Sequence, residues 1–310
     1  MLSGLSFTAL ACLMVAGLAL DALLGEVPVL HPLVGFGRYA SWLEKRFNRE
    51  GGILIGLLAW ALAVLPLVAL SVGAIVCAAP FWALVLHALL LYFCLGLRSL
   101  YEHCQPIALA LRVGDLPNAR RLTARIVSRD TGEASEADLS KATVESLLEN
   151  GNDAVFGTLF WFLAGGGPAA LLFRLVNTLD AMWGYRTPRF LLFGRFAARC
   201  DDVMNWIPAR LTACSYLVLG HARSAWRCWR TQARHWPSPN AGPVMASGAG
   251  ALQLQLGGAA SYEGVSEMRP PLGEGREVRA DDIERAWRLV LHAVLLWCAI
   301  VAALAGLGAR

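Results

Sequence analysis

The feature that most restricts this chain is a set of long runs free of acidic and basic side chains. Leu2–Leu20, Ile53–Ala79 and Phe81–Leu97 contain no Asp, Glu, Lys or Arg, and Ala286–Gly308 contains only Arg288. At a rise of ~1.5 Å per residue such runs are long enough to cross the hydrocarbon of a bilayer as helices. Composition agrees: 56% of the residues are hydrophobic and 16% charged, and the mean hydropathy is +0.50, too apolar for an ordinary soluble domain. A formal charge of +4, from 27 basic and 23 acidic residues, gives no basic field suited to nucleic acid. The eight cysteines form no C-x-x-C pair and read as small packing residues.

The basic residues orient the runs. No charge precedes the first run, whereas Arg38, Lys45, Arg46 and Arg49 follow it, which predicts an outside N-terminus and a cytoplasmic loop. Pro80 separates the second and third runs, so they should form a hairpin of helices, and the lone His87 in the third reads as hydrogen-bonded structure. Residues 98–152 are polar and rich in arginine, which fits the cytoplasmic side. The apolar stretch 155–176 is interrupted by Gly165-Gly166-Gly167-Pro168, a sequence that stops a helix. Two half-helices forming a re-entrant pair are expected there, because a single crossing would strand Arg186, Arg189, Arg195 and Arg199 outside. The expected fold is therefore all-α: one polytopic membrane domain over residues 1–310, with spans near 2–20, 53–79, 81–97 and 286–308. Residues 98–152 and 177–285 are expected to form cytoplasmic helical segments.

Polar residues beside these runs are candidates for function, since charge near hydrocarbon is costly to keep. The segment between the first two runs holds Asp21, His31 and Arg38, which either reach a site or cap helices. Ser128-Arg129-Asp130-Thr131 is a polar turn, and Ser135-Glu136-Ala137-Asp138 has the form of a capping box. On the helix that it starts, Lys141, Glu145 and Glu149 share one face, with Asn150, Asn152 and Asp153 at an end broken by Gly151. Arg195, Arg199 and Asp202 share a face further on. No P-loop and no strand-borne dinucleotide fingerprint occurs.

The motifs D-A-L-L-G-E-V-P…H-P-L-V-G-F-G-R from Asp21, SRDT, VESLLEN, NTLDAM, DDVMNWIPAR and SPNAG occur in an order that resembles the CobD/CbiB family of cobalamin biosynthesis membrane proteins. Thr158, Ala181 and Pro243 stand where that family's pattern favours Pro, Ser and Trp. The resemblance implies an acid–amine ligase that joins adenosylcobyric acid to aminopropanol or its phosphate, driven by ATP. It also implies a multi-pass protein of the inner membrane with its site facing the cytoplasm, embedded in the lipid bilayer and associated with other late cobalamin-pathway membrane enzymes.

Forming an amide from an unactivated carboxylate requires an acyl phosphate or acyl adenylate, hence Mg²⁺, cations on the phosphates and an amine that has lost its proton. On the matched motifs, Asp180, Asp201 and Asp202 are expected to hold Mg²⁺. Glu145, Glu149 and Asp180 are the expected catalytic carboxylates, with Glu145 or Glu149 taking the proton of the amine. Arg129, Arg186 and Arg210 are expected at phosphate, and Asn150, Asn177 and Asn205 at neutral substrate groups. A corrinoid transporter or binding protein, or a related membrane regulator, would share the apolar runs; the first would also explain the broken helix.

Overall fold

The computed structural model describes residues 4–26, 31–49, 51–262 and 264–308. Residues 2 and 3 of the first expected span and Pro28 of the opening motif lie outside the described residues. In chain order the elements are α1 (Phe7–Leu24), α2 (Pro32–Phe47), α3 (Ile53–Cys77), α4 (Pro80–Cys94), α5 (Leu97–Arg112), α6 (Leu116–Thr123) and α7 (Glu136–Gly151). There follow a π-helical turn (Asn152–Phe156), α8 (Gly157–Trp183), α9 (Arg195–Met204), α10 (Trp206–Leu219), α11 (Ala222–Gln232) and α12 (Ala241–Leu252). The chain ends with β1 (Leu256–Tyr262), β2 (Val265–Leu272) and α13 (Ala280–Gly308). Contacts group these into two compact units, each assembled from separated stretches: Met1–Leu97 with Asp153–Asn205 and Cys298–Arg310, and Arg98–Asn152 with Trp206–Trp297.

In the first unit α8 is the hub and touches α1, α2, α3, α4 and α9. Phe36, Ala63, Val176, Leu179, Trp183 and Phe193 lie in the apolar core that results. The expected interruption of α8 is present: Gly165 and Gly166 leave helical geometry, and Gly166 adopts φ 70°, which a residue with a side chain rarely does. The break frees backbone donors, and one is recovered locally. His87 of α4 accepts a hydrogen bond at Nδ1 from the Gly167 amide at 2.9 Å, the structural role expected of a lone buried histidine. His31 likewise caps α2, its Nδ1 accepting from Leu33 N at 3.2 Å, with Pro32 in the first turn, where a missing N–H costs nothing.

In the second unit the capping box forms as read, with Ser135 and Asp138 satisfying each other's backbone N–H groups. Gly151 does not end the helix; α7 continues into the π-helical turn, because the segment is buried and packing outweighs the weak propensity of one glycine. The small residues of AGPVMASGAGAL form α12, whose residues are all buried; its small side chains let neighbouring elements approach closely. Not all of this unit is helical. Residues 256–272, expected within a helical segment, form an antiparallel hairpin with a bulge between Leu256 and Gly258. Gly257, Gly258 and Gly264 have positive φ, and Pro270-Pro271 cannot sit inside a helix, so the local chemistry excludes α structure.

Among the described residues, five helical stretches are long and apolar enough to cross a membrane. Four of them, Phe7–Leu24, Ile53–Cys77, Pro80–Arg112 and Ala280–Leu307, contain the expected spans almost whole. The fifth, Glu136–Trp183, includes the broken stretch.

Candidate functional site

The candidate residues divide between the two units. Asn177, Asp180, Arg186, Asp201, Asp202 and Asn205 belong to the first, and Arg129, Glu145, Glu149, Asn150 and Arg210 to the second.

In the first unit, the half of α8 after the break brings Asn177 and Asp180 to α9. Asp201, 8% exposed, accepts at Oδ1 from Asn177 Nδ2 at 3.2 Å. It also accepts from Asn205 Nδ2, at 3.2 Å to Oδ1 and 3.1 Å to Oδ2. Asn205 in turn ends α9, its N–H donating to the Asp201 carbonyl at 2.8 Å. Two neutral amides, with no cation, surround this carboxyl. Burial and then the negative charge of Asp153 push its pKa up to about 7, against the stabilising amides. The Asp202 carboxyl is raised by burial as well, although Arg199 and Arg186 pull the other way. Asp180 lies close enough to feel the charges of both. Gly184 of the NTLDAMWGY motif makes room for it, since a Cβ there would sit 2.1 Å from Asp180 Oδ1. Arg186 is exposed. Among the described residues no ion pair neutralises Asp180 or Asp201. Nor do three carboxylate, histidine or cysteine side chains among them converge at metal-ligand spacing.

The second unit has the opposite electrostatics. Glu145 is 3% exposed in its side chain and both its oxygens are engaged. Oε2 accepts from Arg129 Nη2 at 2.5 Å and from Arg269 Nη1 at 2.8 Å; Oε1 accepts from Arg269 Nη2 at 3.2 Å and from Gly257 N at 2.7 Å. Arg269 also lies over the Trp236 ring at 5.6 Å. One residue beyond Arg129, Asp130 N donates to the Ser261 carbonyl at 2.8 Å, and its Oδ2 accepts from Gly264 N at 2.7 Å. The SRDT turn and Glu145 thus clamp the hairpin on α7. This arrangement leaves Glu145 poorly suited to accept a proton, the role that the matched motif implied, because both oxygens face donors.

The remaining candidates brace local structure. Arg210 donates from Nη1 to Asn240 Oδ1 at 2.7 Å and to Trp206 O at 3.0 Å, and from Nη2 to Pro239 O at 2.9 Å. It ties DDVMNWIPAR to SPNAG, and burial lowers its pKa. Asn150 Nδ2 donates to Ser146 O and Oγ, both at 3.0 Å. Glu149 lies one turn beyond Glu145 on α7 and is partly buried. Arg269 and Asn240 are participants that residue type and spacing did not single out. Asn240 lay inside a recognised motif, whereas nothing local marks Arg269.

These features define a helical membrane protein that carries a cluster of carboxylates at the end of a broken apolar helix. The chain belongs to the CobD/CbiB family, whose model matches residues 14–290. It is 53% identical to the cobalamin biosynthesis protein CobD of Stutzerimonas stutzeri (strain A1501), over 93% of this chain and 95% of that one. Identity to the protein of the same description from Chromobacterium violaceum is 50%, over 91% and 93%. To that of Mycobacterium tuberculosis (strain ATCC 25618 / H37Rv) it is 39%, over 87% and 88%. No solved structure matches.

Proposed function

We propose that this protein is an acid–amine ligase of cobalamin biosynthesis, joining adenosylcobyric acid to aminopropanol or its phosphate at the expense of ATP. Membership of a cobalamin biosynthesis family supports the pathway. The observation that carries the chemistry is the cluster of Asp180, Asp201 and Asp202, in which Asp201 is held by two amides and, among the described residues, neither Asp180 nor Asp201 forms an ion pair. Like charges kept together in a partly buried place destabilise the resting protein, so the arrangement fits a centre completed by a ligand.

Mg²⁺ fits this donor set. It retains several waters and needs only one or two carboxylates together with substrate phosphates, which accords with oxygen ligands that do not converge three at a time. Asp201 and Asp202 would hold it, and it would neutralise phosphate charge during acyl activation. Asp180, beside them, accepts the proton of the amine. Glu145 is a positioning residue that fixes the hairpin, with Arg129 as its partner, and Arg210 positions the SPNAG loop. Arg186 is an exposed guanidinium on the carboxylate side and meets phosphate. The arginine-rich polar segments support an inner-membrane protein whose site faces the cytoplasm.

The test is reconstitution of purified protein in detergent with ATP, adenosylcobyric acid and either amine. Amide product should form without a vesicle, and Asp180→Asn should lower kcat by ~10²–10⁴ with folding intact. Asp202→Asn should shift the Mg²⁺ dependence; unchanged activity and Mg²⁺ response in that variant would remove the metal assignment. The break in α8 favours a second reading, corrinoid transport. Flux across vesicles without product formation would establish that reading instead.

A further inference from the structure

Arg174 is the one guanidinium of α8, and it was not among the residues that the motifs marked. It sits between Phe173 and Leu175, which are 0% and 2% exposed, eight residues after the break at Gly165 and Gly166. Its hydrogen bonds are poor. Nη1 reaches the Asp153 carbonyl oxygen at 3.5 Å and Asn177 Oδ1 at 3.4 Å, both beyond the usual range for N–H···O. Nε is closed to solvent and has no hydrogen-bond partner among the described residues. Among the described residues no carboxylate forms an ion pair with Arg174, although Glu26 and Asp153 are near enough to act on it electrostatically.

A guanidinium carries five donors in a fixed planar fork. Leaving them unmade in apolar surroundings is costly, so a chain that keeps such a group inside a membrane-embedded unit has a use for it. The other deeply set arginine forks of this protein are filled. Arg269 grips Glu145 with both terminal nitrogens, and Arg210 engages the SPNAG loop. Arg174 alone contrasts with them. Its fork matches a carboxylate or a phosphate, the two groups that guanidinium binds through paired hydrogen bonds.

Its position adds the second half of the argument. Asn177 accepts from Arg174 and donates to Asp201, so a single amide joins the cation to the carboxylate centre. Arg174, Asn177 and Asp180 follow at intervals of three along one side of α8. The backbone amide at the start of this half-helix is fixed by His87. We propose that Arg174 binds an oxyanion of a substrate, carboxylate or phosphate, beside the Asp180–Asp201–Asp202 centre. The inference rests on the ligase reading and names a contact that this reading lacks.

Affinities measured on the full-length protein in detergent test it, using three pairs of probes that differ in one anionic group. The pairs are adenosylcobyric acid against its primary amide, aminopropanol phosphate against aminopropanol, and ATP against adenosine. Wild type should prefer the anionic member in each pair that it binds. Arg174→Gln should reduce that preference by ~10- to 100-fold in one pair, the worth of a charge-assisted bidentate contact, and leave the other pairs as they were. The pair affected names the source of the oxyanion. Arg174→Lys keeps the charge without the fork, and should recover only part of the lost preference; it also serves if the glutamine variant does not fold. Folded Gln or Lys variants that keep every wild-type preference would overturn the assignment while leaving the ligase reading intact. Wild type that binds neither the corrinoid nor either amine would sink the ligase reading, and this inference with it.

Discussion

Two buried acids, Glu145 and Asp201, show how differently this protein treats a carboxylate. Glu145 receives two guanidiniums and a backbone amide, whereas Asp201 receives two side-chain amides and has Asp153 as a charged neighbour. The first is complete within its own unit, so removing it leaves unpaired cations. The second is incomplete, so the folded chain is strained until a proton or another cation arrives. A filled centre is a brace; an unfilled one is where a ligand changes the energy most.

The largest expected effect is on the brace. Glu145→Ala strands Arg129 and Arg269 in a buried site and should cost about 3–5 kcal/mol, as breaking one side of a buried ion pair does. Denaturant or thermal unfolding in detergent reads this, and a cost under about 1 kcal/mol would erase the contrast with Asp201.

Asp201→Asn should act with the opposite sign. Because the folded pKa is raised from 3.8 to about 7, wild type loses stability as pH rises between these values and keeps the full penalty above them. The variant does not ionise. It should therefore be more stable than wild type at pH 8, by at most about 4 kcal/mol, with the gap closing near pH 4. Thermal midpoints across that range measure it, and Mg²⁺ should narrow the gap if the cation binds there.

Arg210→Lys sharpens the comparison on the filled side. The lysine cannot serve Asn240 Oδ1 and Pro239 O together, so a loss of about 1–2 kcal/mol is expected. The smallest effect belongs to a pair whose cation is exposed to solvent. Arg189, 61% exposed, donates to both oxygens of Glu44 and, with hydrogen bonding as the main cause, lowers the Glu44 pKa below 4.5. That contribution is present above pH 4.5 and disappears as pH falls through the lowered value. Glu44→Gln should therefore reduce the thermal midpoint slightly at neutral pH and not at all in acid.

Much of this was legible locally. Uncharged runs must become helices in hydrocarbon, Ser135 and Asp138 are three residues apart, and three glycines before Pro168 favour a break in the helix. The residues of the carboxylate centre were legible for a similar reason, since Asn177 and Asp180 lie in one short motif and Asp201 and Asp202 in the next. Arg174 was legible in principle, as a charge within LLFRLVN, but a residue flanking a motif is easily assigned to the helix that carries it.

The sequence by itself determined the apolar helices, the break in α8 and the acids that would be candidates, because each follows from propensities and spacings within a few residues. Only the tertiary structure decided which acids are neutralised. Arg269 lies 124 positions from Glu145, on a hairpin whose register is set by a bulge and by pairing that no local pattern encodes. The absence of such a partner at Asp201 is equally non-local. Charge balance in a buried place is a property of everything packed around it, and a linear reading can name the charges but not pair them.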